Sequence, residues 1–400
     1  MKKKAAIGFI FITLLIDVIG WGLIIPVMPE LIAGMKHIPV NLASRDGGWL
    51  LFVYAFMQFV CAPILGNLSD QYGRRPILLF SLFGFGVDYI FMGFAPSFGW
   101  LFLGRIISGI TGASFTTASA YIADISNAET RAKNFGLVGA AFGLGFIIGP
   151  AIGGLLTGWG IRAPFYAAAA LSLLNWLYGY FVLPESLSKE NRRRFEWKRA
   201  NPMGSLLHLK KYPAVAGLIL ALTLVYLGSH AVQSNWSYFT AYRFQWTPKT
   251  IGISLAVVGV LVASVQAGLI RLITPIIGNE RSIYFGLLLY AIGMFLFAIS
   301  SESWMMFVFL IPYCLGGISG PALQATISGH VPRNSQGELQ GSLTSLMSAT
   351  SILGPLIMTN LFSYFTSDRA PFLFPGAPFV LGGILMLASS IAAYKSLKQS

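Results

Sequence analysis

The chain has 400 residues, of which 55% are hydrophobic and 10% charged, with a formal net charge of +13. A soluble protein carries about 25% charge, so too few charged side chains are present to coat a water-facing surface. The composition therefore excludes a soluble enzyme, a disordered chain and a disulfide scaffold, and leaves lipid as the medium that accepts 31 Phe and 44 Gly.

A bilayer core of about 30 Å requires roughly 20 apolar residues per helix. Twelve windows meet that requirement, near 5–29, 48–66, 77–95, 99–123, 135–158, 163–183, 213–235, 250–270, 282–300, 303–326, 338–364 and 373–394. The opening Met1-Lys-Lys-Lys4 and its apolar stretch are too long for a signal peptide and lack a small-residue cleavage site, so the stretch is expected to remain as the first span. Three charges lie well inside the windows: Asp17, Asp88 and Arg105.

The Lys and Arg of the loops set the orientation. Twenty of the 27 fall on the side that holds both termini, including Lys2–Lys4, Arg74, Arg75, Arg131, Lys133, eight between Lys189 and Lys211, and Arg333. Six fall on the other side and Arg105 is within a span. Both termini are thus expected to be cytoplasmic. This placement accounts for the positive net charge without a nucleic-acid partner.

The longest hydrophilic stretch, Glu185 to Tyr212, divides the windows into six and six. The expected domains are a bundle over 1–184, a linker over 185–212 and a second bundle over 213–400. A shift of 205 brings Gly136 onto Gly341 and Gly149-Pro150 onto Gly354-Pro355, so the halves read as diverged copies. The fold class is an all-α membrane protein of twelve transmembrane helices in two pseudo-symmetric six-helix bundles. Cys61 and Cys314 sit in apolar runs, and His37, His208, His230 and His330 are scattered. No metal, cofactor or enzymatic site is expected.

Two motifs stand out. The loop between spans two and three reads Gly66-Asn-Leu-Ser-Asp70-Gln-Tyr-Gly73-Arg74-Arg75-Pro76. Gly73 permits a positive φ, and Asp70 can accept from an arginine or cap a helix, which suits a latch as well as an ordinary polar turn. Span five carries Gly136, Gly145, Gly149-Pro150 and Gly153-Gly154. The four-residue recurrence of 145, 149 and 153 lets another backbone approach, and Pro150 removes a helix hydrogen bond.

With these motifs the chain resembles the major facilitator superfamily, and within it the twelve-span drug:proton antiporters. The resemblance covers essentially the whole length. The loop is similar to the superfamily's gating loop, and the span-five pattern looks like the antiporter signature. Arg105 in Gly104-Arg105-Ile-Ile-Ser-Gly109-Ile-Thr-Gly112 resembles an arginine implicated there in proton transfer. Asp17-Val-Ile-Gly-Trp-Gly-Leu-Ile-Ile-Pro26, Tyr54-Ala-Phe-Met-Gln58, Asp88-Tyr89 and Tyr121-Ile-Ala-Asp124 resemble the tetracycline-efflux branch. The chain departs from that branch at Gln71, where the family commonly has Arg, and in span nine, which holds no acid.

Ionisable groups inside a span are costly and are expected to face a cavity or a partner. Counting about 1.5 Å per residue, Asp88 and Arg105 lie roughly 10 Å from the outer ends of neighbouring spans, and Asp17 roughly 18 Å, near the midplane. Asp88 and Arg105 read either as a proton-handling pair or as a static ion pair. Burial and a nearby guanidinium act on a carboxyl's protonation in opposite senses, so a changing distance between them loads and releases a proton. On this reading Asp17, Asp88 and Arg105 couple protons to transport, and substrate competes for the same acids.

Tyr54, Gln58, His230, Gln233, Tyr290 and Gln324 are the candidate substrate contacts, and Asp124 joins the loop residues as a gating group. Tyr226, Trp236, Tyr238 and Tyr242 are expected in an interfacial aromatic belt. The expected partners are a small molecule, protons and membrane lipid, with the chain acting as a monomer. The expected function is proton-driven export of a hydrophobic or amphipathic drug-like compound. Export or symport of an endogenous metabolite or lipid is the first alternative, and a non-transporting receptor or scaffold the second.

Overall fold

The computed structural model describes residues 2–112, 114–197, 204, 215–332 and 336–399. Most of the predicted linker beyond Trp197, together with His208 and Arg333, lies outside the described residues, as do the side chains of Lys2–Lys4, Arg131, Lys133 and Glu338. Among the described residues the secondary structure is entirely helical.

The first half comprises α1 (Lys2–Ile24), α2 (Met28–Lys36), α3 (Val40–Tyr72), α4 (Arg74–Phe94), α5 (Phe98–Thr111), α6 (Ser114–Ile125), α7 (Ala128–Leu156) and α8 (Ala163–Val182). A short 3-10 turn at Ile25–Val27, with Pro26 inside it, joins α1 to α2. The second half comprises α9 (Ala216–Phe244), α10 (Pro248–Ser264), a π turn (Val265–Leu269), α11 (Ile270–Ile299), α12 (Ser303–Leu315), α13 (Ser319–Gly329), α14 (Gln336–Phe365) and α15 (Ala377–Gln399).

Among the described residues, eleven helical runs are long and apolar enough to cross a bilayer. The run 248–299 has 52 residues, or roughly 78 Å of helix, more than twice the hydrocarbon thickness. It is broken at Gly278, where φ is 81° and ψ 167°. It therefore supplies spans eight and nine, and the total is twelve.

Gly278 repeats a feature of the first half. The break between α3 and α4 falls at Gly73, with φ 108°, and the two glycines are 205 positions apart, the same offset that superposes the Gly-Pro motifs. At both positions a side chain would meet the left-handed penalty.

Helix pairing repeats as well. In the first half α1 packs on α7 and α8, and α4 on α5 and α8; in the second α9 packs on α14 and α15, and α11 on α12 and α15. Proline carbonyls take part in both halves. The Pro150 carbonyl abuts Gly252, and the Pro355 carbonyl lies 3.4 Å from where a Gly48 Cβ would stand.

Two compact units result. One contains 1–37, 53–201 and 247–256; the other contains 38–52, 202–246 and 257–400. Each borrows a short helix end from the other half of the sequence. In the second unit, Asn41 Nδ2 donates to the Thr366 carbonyl at 2.8 Å, and Gly47 leaves room for the Tyr238 hydroxyl. In the first unit, Gly154 leaves room for the Pro248–Lys249 backbone.

The core of the first unit gathers Phe9, Ile10, Leu14, Leu78, Leu82 and Tyr121. In the second, Trp236 is 2% exposed and packs edge-on to Phe297 at 5.2 Å, while Phe239 meets Phe379 at 4.9 Å. The aromatic belt expected at Tyr226, Trp236, Tyr238 and Tyr242 is not found at the first three positions, whereas Tyr242 is half-buried near the end of α9. Trp236 and Tyr238 are buried, and Tyr226 turns into a cavity. Helix α9 buries Trp236, Tyr238 and Phe239 against its neighbours, so these aromatics fill core instead of meeting headgroups.

The glycines of α7 serve close packing on α1. A Cβ at Gly145 would meet the Val18 side chain at 2.7 Å, one at Gly149 the Ile19 carbonyl at 2.8 Å, and one at Gly153 would overlap the Leu23 backbone. Gly136 has nothing within 4 Å and plays no part in this contact. Gly153→Ala is expected to lower the thermal unfolding midpoint in detergent, at a cost of about 1–3 kcal/mol, because backbone cannot step aside as a side chain can. Gly136→Ala is expected to be neutral or to stabilise by up to about 1 kcal/mol.

Candidate functional site

Polar side chains concentrate at three places: a charged cluster inside the first unit, the α3–α4 loop, and a cavity inside the second unit.

The charged cluster is built on α1, α3, α4 and α5. Arg105 Nη2 meets Asp88 Oδ2 at 2.5 Å, with Asp88 1% exposed and Arg105 6%. Gly104, beside the arginine, makes this approach possible, since a Cβ there would stand 2.9 Å from Asp88 Oδ1. Gly109, further along α5, lies against α3, where a Cβ would stand 2.7 Å from the Tyr54 carbonyl. The guanidinium also contacts the Met92 sulfur and lies over the Tyr54 ring, 5.8 Å from its centroid. This is within the range of a cation–π contact.

Asp88 and Arg105 meet through one oxygen and one nitrogen. Asp88 Oδ1 and Arg105 Nε are both buried without a hydrogen-bond partner. A purely structural buried pair gains by filling its remaining lone pairs and protons, and this one leaves an acceptor and a donor unused.

Asp17 sits on α1. Both of its carboxylate oxygens are buried without a partner, and the Ser114 hydroxyl lies beside it without closing a hydrogen bond. Tyr54 lies within electrostatic reach of Arg105, Asp17 and Asp88, so the three ionisable groups of the spans share one neighbourhood. Tyr89, adjoining Asp88, reaches α1, with its hydroxyl 2.9 Å from a Cβ built at Gly20. Gln58 donates to the Tyr54 hydroxyl at 3.2 Å and to the Gly112 carbonyl at 2.9 Å. It therefore ties α3 to the end of α5 beside the cluster.

The α3–α4 loop is held by more than its own motif. Arg74 Nη1 pairs with Asp70 at 2.5 Å and donates to Ser69 Oγ at 2.6 Å, while Arg74 Nε reaches Asp124 at 3.2 Å. Arg75 donates to the Tyr180 carbonyl at 2.6 Å. Gly66 has open space around it.

The helix cap comes from Glu185, just past α8. Its carboxylate accepts from the backbone amides of Arg74 at 2.8 Å and Arg75 at 3.3 Å, satisfying the orphan donors at the start of α4. Gln71 Oε1 accepts from Phe195 N at 3.1 Å, the Asp70 carbonyl from Arg193 N at 3.0 Å, and Asn67 donates to the Glu196 carbonyl at 2.7 Å. The start of the linker is thus strapped along the loop. An arginine at position 71 has no acceptor to offer Phe195, so the glutamine fits this strap.

Glu185→Ala is expected to raise amide exchange at Arg74 and Arg75 by about fivefold, because loss of a helix N-terminal acceptor costs about 1 kcal/mol. Hydrogen–deuterium exchange of the full-length protein measures this directly.

The cavity of the second unit has a volume of about 340 Å³, within the range of small-molecule sites. Tyr226, His230, Gln233, Gln266 and Tyr290 lie on its wall. Gln266 is presented by the π turn, a distortion that re-aims side chains. Gln324 is not on the wall but donates to the Tyr226 hydroxyl at 3.0 Å. Tyr54 and Gln58 belong to the charged cluster instead. Among the described residues, no three His, Cys, Asp or Glu side chains group as a metal site.

The Major Facilitator Superfamily model matches residues 10–273 and 218–397. The chain belongs to the Major Facilitator Superfamily. It is 42% identical to the class C tetracycline resistance protein of Escherichia coli over 97% of this chain and 96% of that one. It is 39% identical to the class G protein of Vibrio anguillarum over 91% of each, and 30% identical to multidrug resistance protein 2 of Bacillus subtilis over 94% of each.

Among solved structures, a bacterial homologue of the human lysosomal transporter Spinster aligns with TM-score 0.77 at 16% identity, covering 98% of this chain and 96% of that one. The human organic anion transporter MFSD10 aligns with TM-score 0.73 at 22% identity, covering 98% and 99%. These likenesses show the shared fold. The chain is a multi-pass membrane transporter, and this superfamily binds small-molecule substrates.

Proposed function

We propose that this transporter exports a hydrophobic or amphipathic drug-like compound in exchange for protons, in the manner its tetracycline-resistance relatives' names suggest. It does so in a bacterial inner membrane with both termini on the cytoplasmic side. The observation that carries the reading is the cluster of Asp17, Asp88 and Arg105, whose unused buried atoms give a proton somewhere to reside.

Asp17 and Asp88 alternate between neutral and ionised forms as their surroundings change through the transport cycle. Arg105 holds Asp88 through a single contact and can release it without dismantling a bidentate pair. The α3–α4 loop, with Asp70, Gly73, Arg74, Arg75 and Asp124, acts as the latch that must open and re-form. The cavity of the second unit receives the cargo. Its lining of tyrosine, glutamine and histidine suits an aromatic compound bearing hydrogen-bonding groups.

Reconstitution into liposomes under an imposed pH gradient tests the proposal. Tetracycline and a panel of aromatic drugs are expected to move against their own gradients, out of the compartment that protons enter. Transport that ignores the proton gradient, or that runs with it as symport, overturns it.

A further inference from the structure

Most hydroxyls inside the spans close a bond to their own helix. Thr111, Thr223, Ser229, Thr240 and Thr326 each donate to the carbonyl four residues back, which satisfies the hydroxyl where no solvent competes for it. Ser81, Thr117 and Ser172 do not. Each is 1% exposed or less, and none of the three oxygens has a hydrogen-bond partner. They stand on α4, α6 and α8, three helices of the first unit.

The register of the helices gathers them around Asp17. A Cβ at Gly179 would meet the Phe9 ring, and Thr13 Oγ1 donates to Asn175 Oδ1 at 3.5 Å. Each step of four forward along α1 is matched by a step of four back along α8, so the next step sets Asp17 within a residue of Ser172. Ser114, at the start of α6, lies beside Asp17, and Thr117, three residues on, shares its face. Ser81 adjoins Leu82, which packs in one cluster with Leu14 and Ala118, the chain neighbours of Thr13 and Thr117. Two polar levels result, about 6 Å apart along α1. One holds Asp17, Ser114 and Ser172; the other holds Thr13, Ser81, Thr117 and Asn175.

What these groups leave unused is complementary to one small molecule. Both Asp17 oxygens and Asn175 Nδ2 are buried without a partner, alongside the three hydroxyls. An ionised carboxyl only accepts, an amide nitrogen only donates, and a hydroxyl does both. Water, with two donors and two acceptors, completes such a set, and buried water is found where polar groups of the interior are otherwise unpaired. A gap of about 6 Å is the reach of roughly two hydrogen-bonded waters. The inner end of the site is closed by Tyr121, one turn beyond Thr117, which is fully buried and donates its hydroxyl to the Pro184 carbonyl at 2.8 Å.

We infer that the first unit holds an internal water site between Asp17 and the Thr13–Asn175 pair, bound by Ser81, Thr117 and Ser172, and that this water takes the proton Asp17 releases. The inference rests on the export reading and names the route by which the proton leaves its carrier. The Asp17 O–H bond breaks toward the first water, which passes one of its own protons to the next. Asp17 is left a carboxylate and the second water a hydronium, one helical turn nearer the start of α1, with no other bond changed. Such a site governs how fast protons leave and not how much energy they bring.

Microsecond X-ray radiolysis of the full-length protein in nanodiscs tests the site itself. Hydroxyl radicals form from water in place, bound water included, so a buried side chain is oxidised only where water is its neighbour. Leu14, Leu82 and Tyr121, each 2% exposed or less, are expected to be oxidised in wild type, and the double variant Thr117→Val with Ser172→Ala is expected to lose most of that labelling. In proteoliposomes under a pH gradient, the same variant is expected to approach steady state about tenfold more slowly and to reach the same accumulation ratio. Its exchange of labelled cargo between equal concentrations, which moves no net proton, is expected at the wild-type rate. Thr117→Ser keeps a hydroxyl and is expected within about twofold of wild type in every measurement. Thr117→Val alone carries the same test if the double variant does not fold.

Absence of labelling in wild type overturns the inference. So does a variant that slows exchange and driven transport alike, the signature of a packing defect, or one that slows neither. Labelling is read without cargo or gradient, which separates it from the export reading. A protein that is labelled as expected but shows no proton-driven flux sinks the export reading and leaves the water site standing, and one that pumps with a dry interior sinks this inference alone.

Discussion

Asp17→Asn is expected to bring the steady-state accumulation of cargo in energised proteoliposomes down to a ratio of about one, while exchange of cargo down its own gradient persists. A proton moving inward across 100 mV supplies about 2.3 kcal/mol, and a one-for-one exchange converts that into roughly a fiftyfold gradient of a neutral compound. The amide matches the carboxyl in shape but carries no exchangeable charge, so the driven component disappears and the passive one remains. Both Asp17 oxygens are buried and unpartnered. The substitution therefore breaks no hydrogen bond or ion pair, and the folded state has little reason to change. Unchanged accumulation in the variant would remove Asp17 from the coupling path. Loss of exchange as well would assign it to cargo binding instead.

Much of this molecule is legible in its sequence for reasons that are physical and local. The spans are legible because lipid tolerates few charges and because helix length is fixed by bilayer thickness. Asp17, Asp88 and Arg105 are legible because charges are rare in apolar windows, and each rare charge calls for an explanation. His230 and Gln233 lie three residues apart and so share a helix face, which is why both reach the same cavity.

Other features depend on contacts that spacing does not encode. Glu185 looks like an ordinary linker acid until the fold brings it to the amides of Arg74 and Arg75, more than a hundred positions away. An aromatic near a span end carries the same signal whether it meets headgroups or core, so the sequence points Tyr226 and Trp236 to a belt, where the packing of α9 makes them a cavity wall and a core. Gly136 matches the glycine pattern in sequence, yet only Gly145, Gly149 and Gly153 touch α1. The continuity of the run 248–299 through a π turn also follows from tertiary packing, whereas its break at Gly278 repeats the turn already marked by Gly73.

The Asp88–Arg105 pair admits two readings that one mutant cycle separates. Removing a single partner of a buried pair strands the other charge, and the cost is about 3–5 kcal/mol. Arg105→Gln alone is therefore expected to lower the unfolding midpoint sharply, leaving Asp88 in the interior without the guanidinium that faces it. The double variant Asp88→Asn with Arg105→Gln replaces the pair by two neutral amides of similar shape, and most of that stability is expected to return. If the pair were only a brace between α4 and α5, transport would return with it. On the coupling reading, stability returns while proton-driven accumulation stays lost, because neither amide can take up or give back a proton at the depth where Asp88 lies. The single contact between the two side chains, with Asp88 Oδ1 and Arg105 Nε left over, favours the second outcome. A brace gains from every bond it can close, whereas a proton carrier must keep one site open.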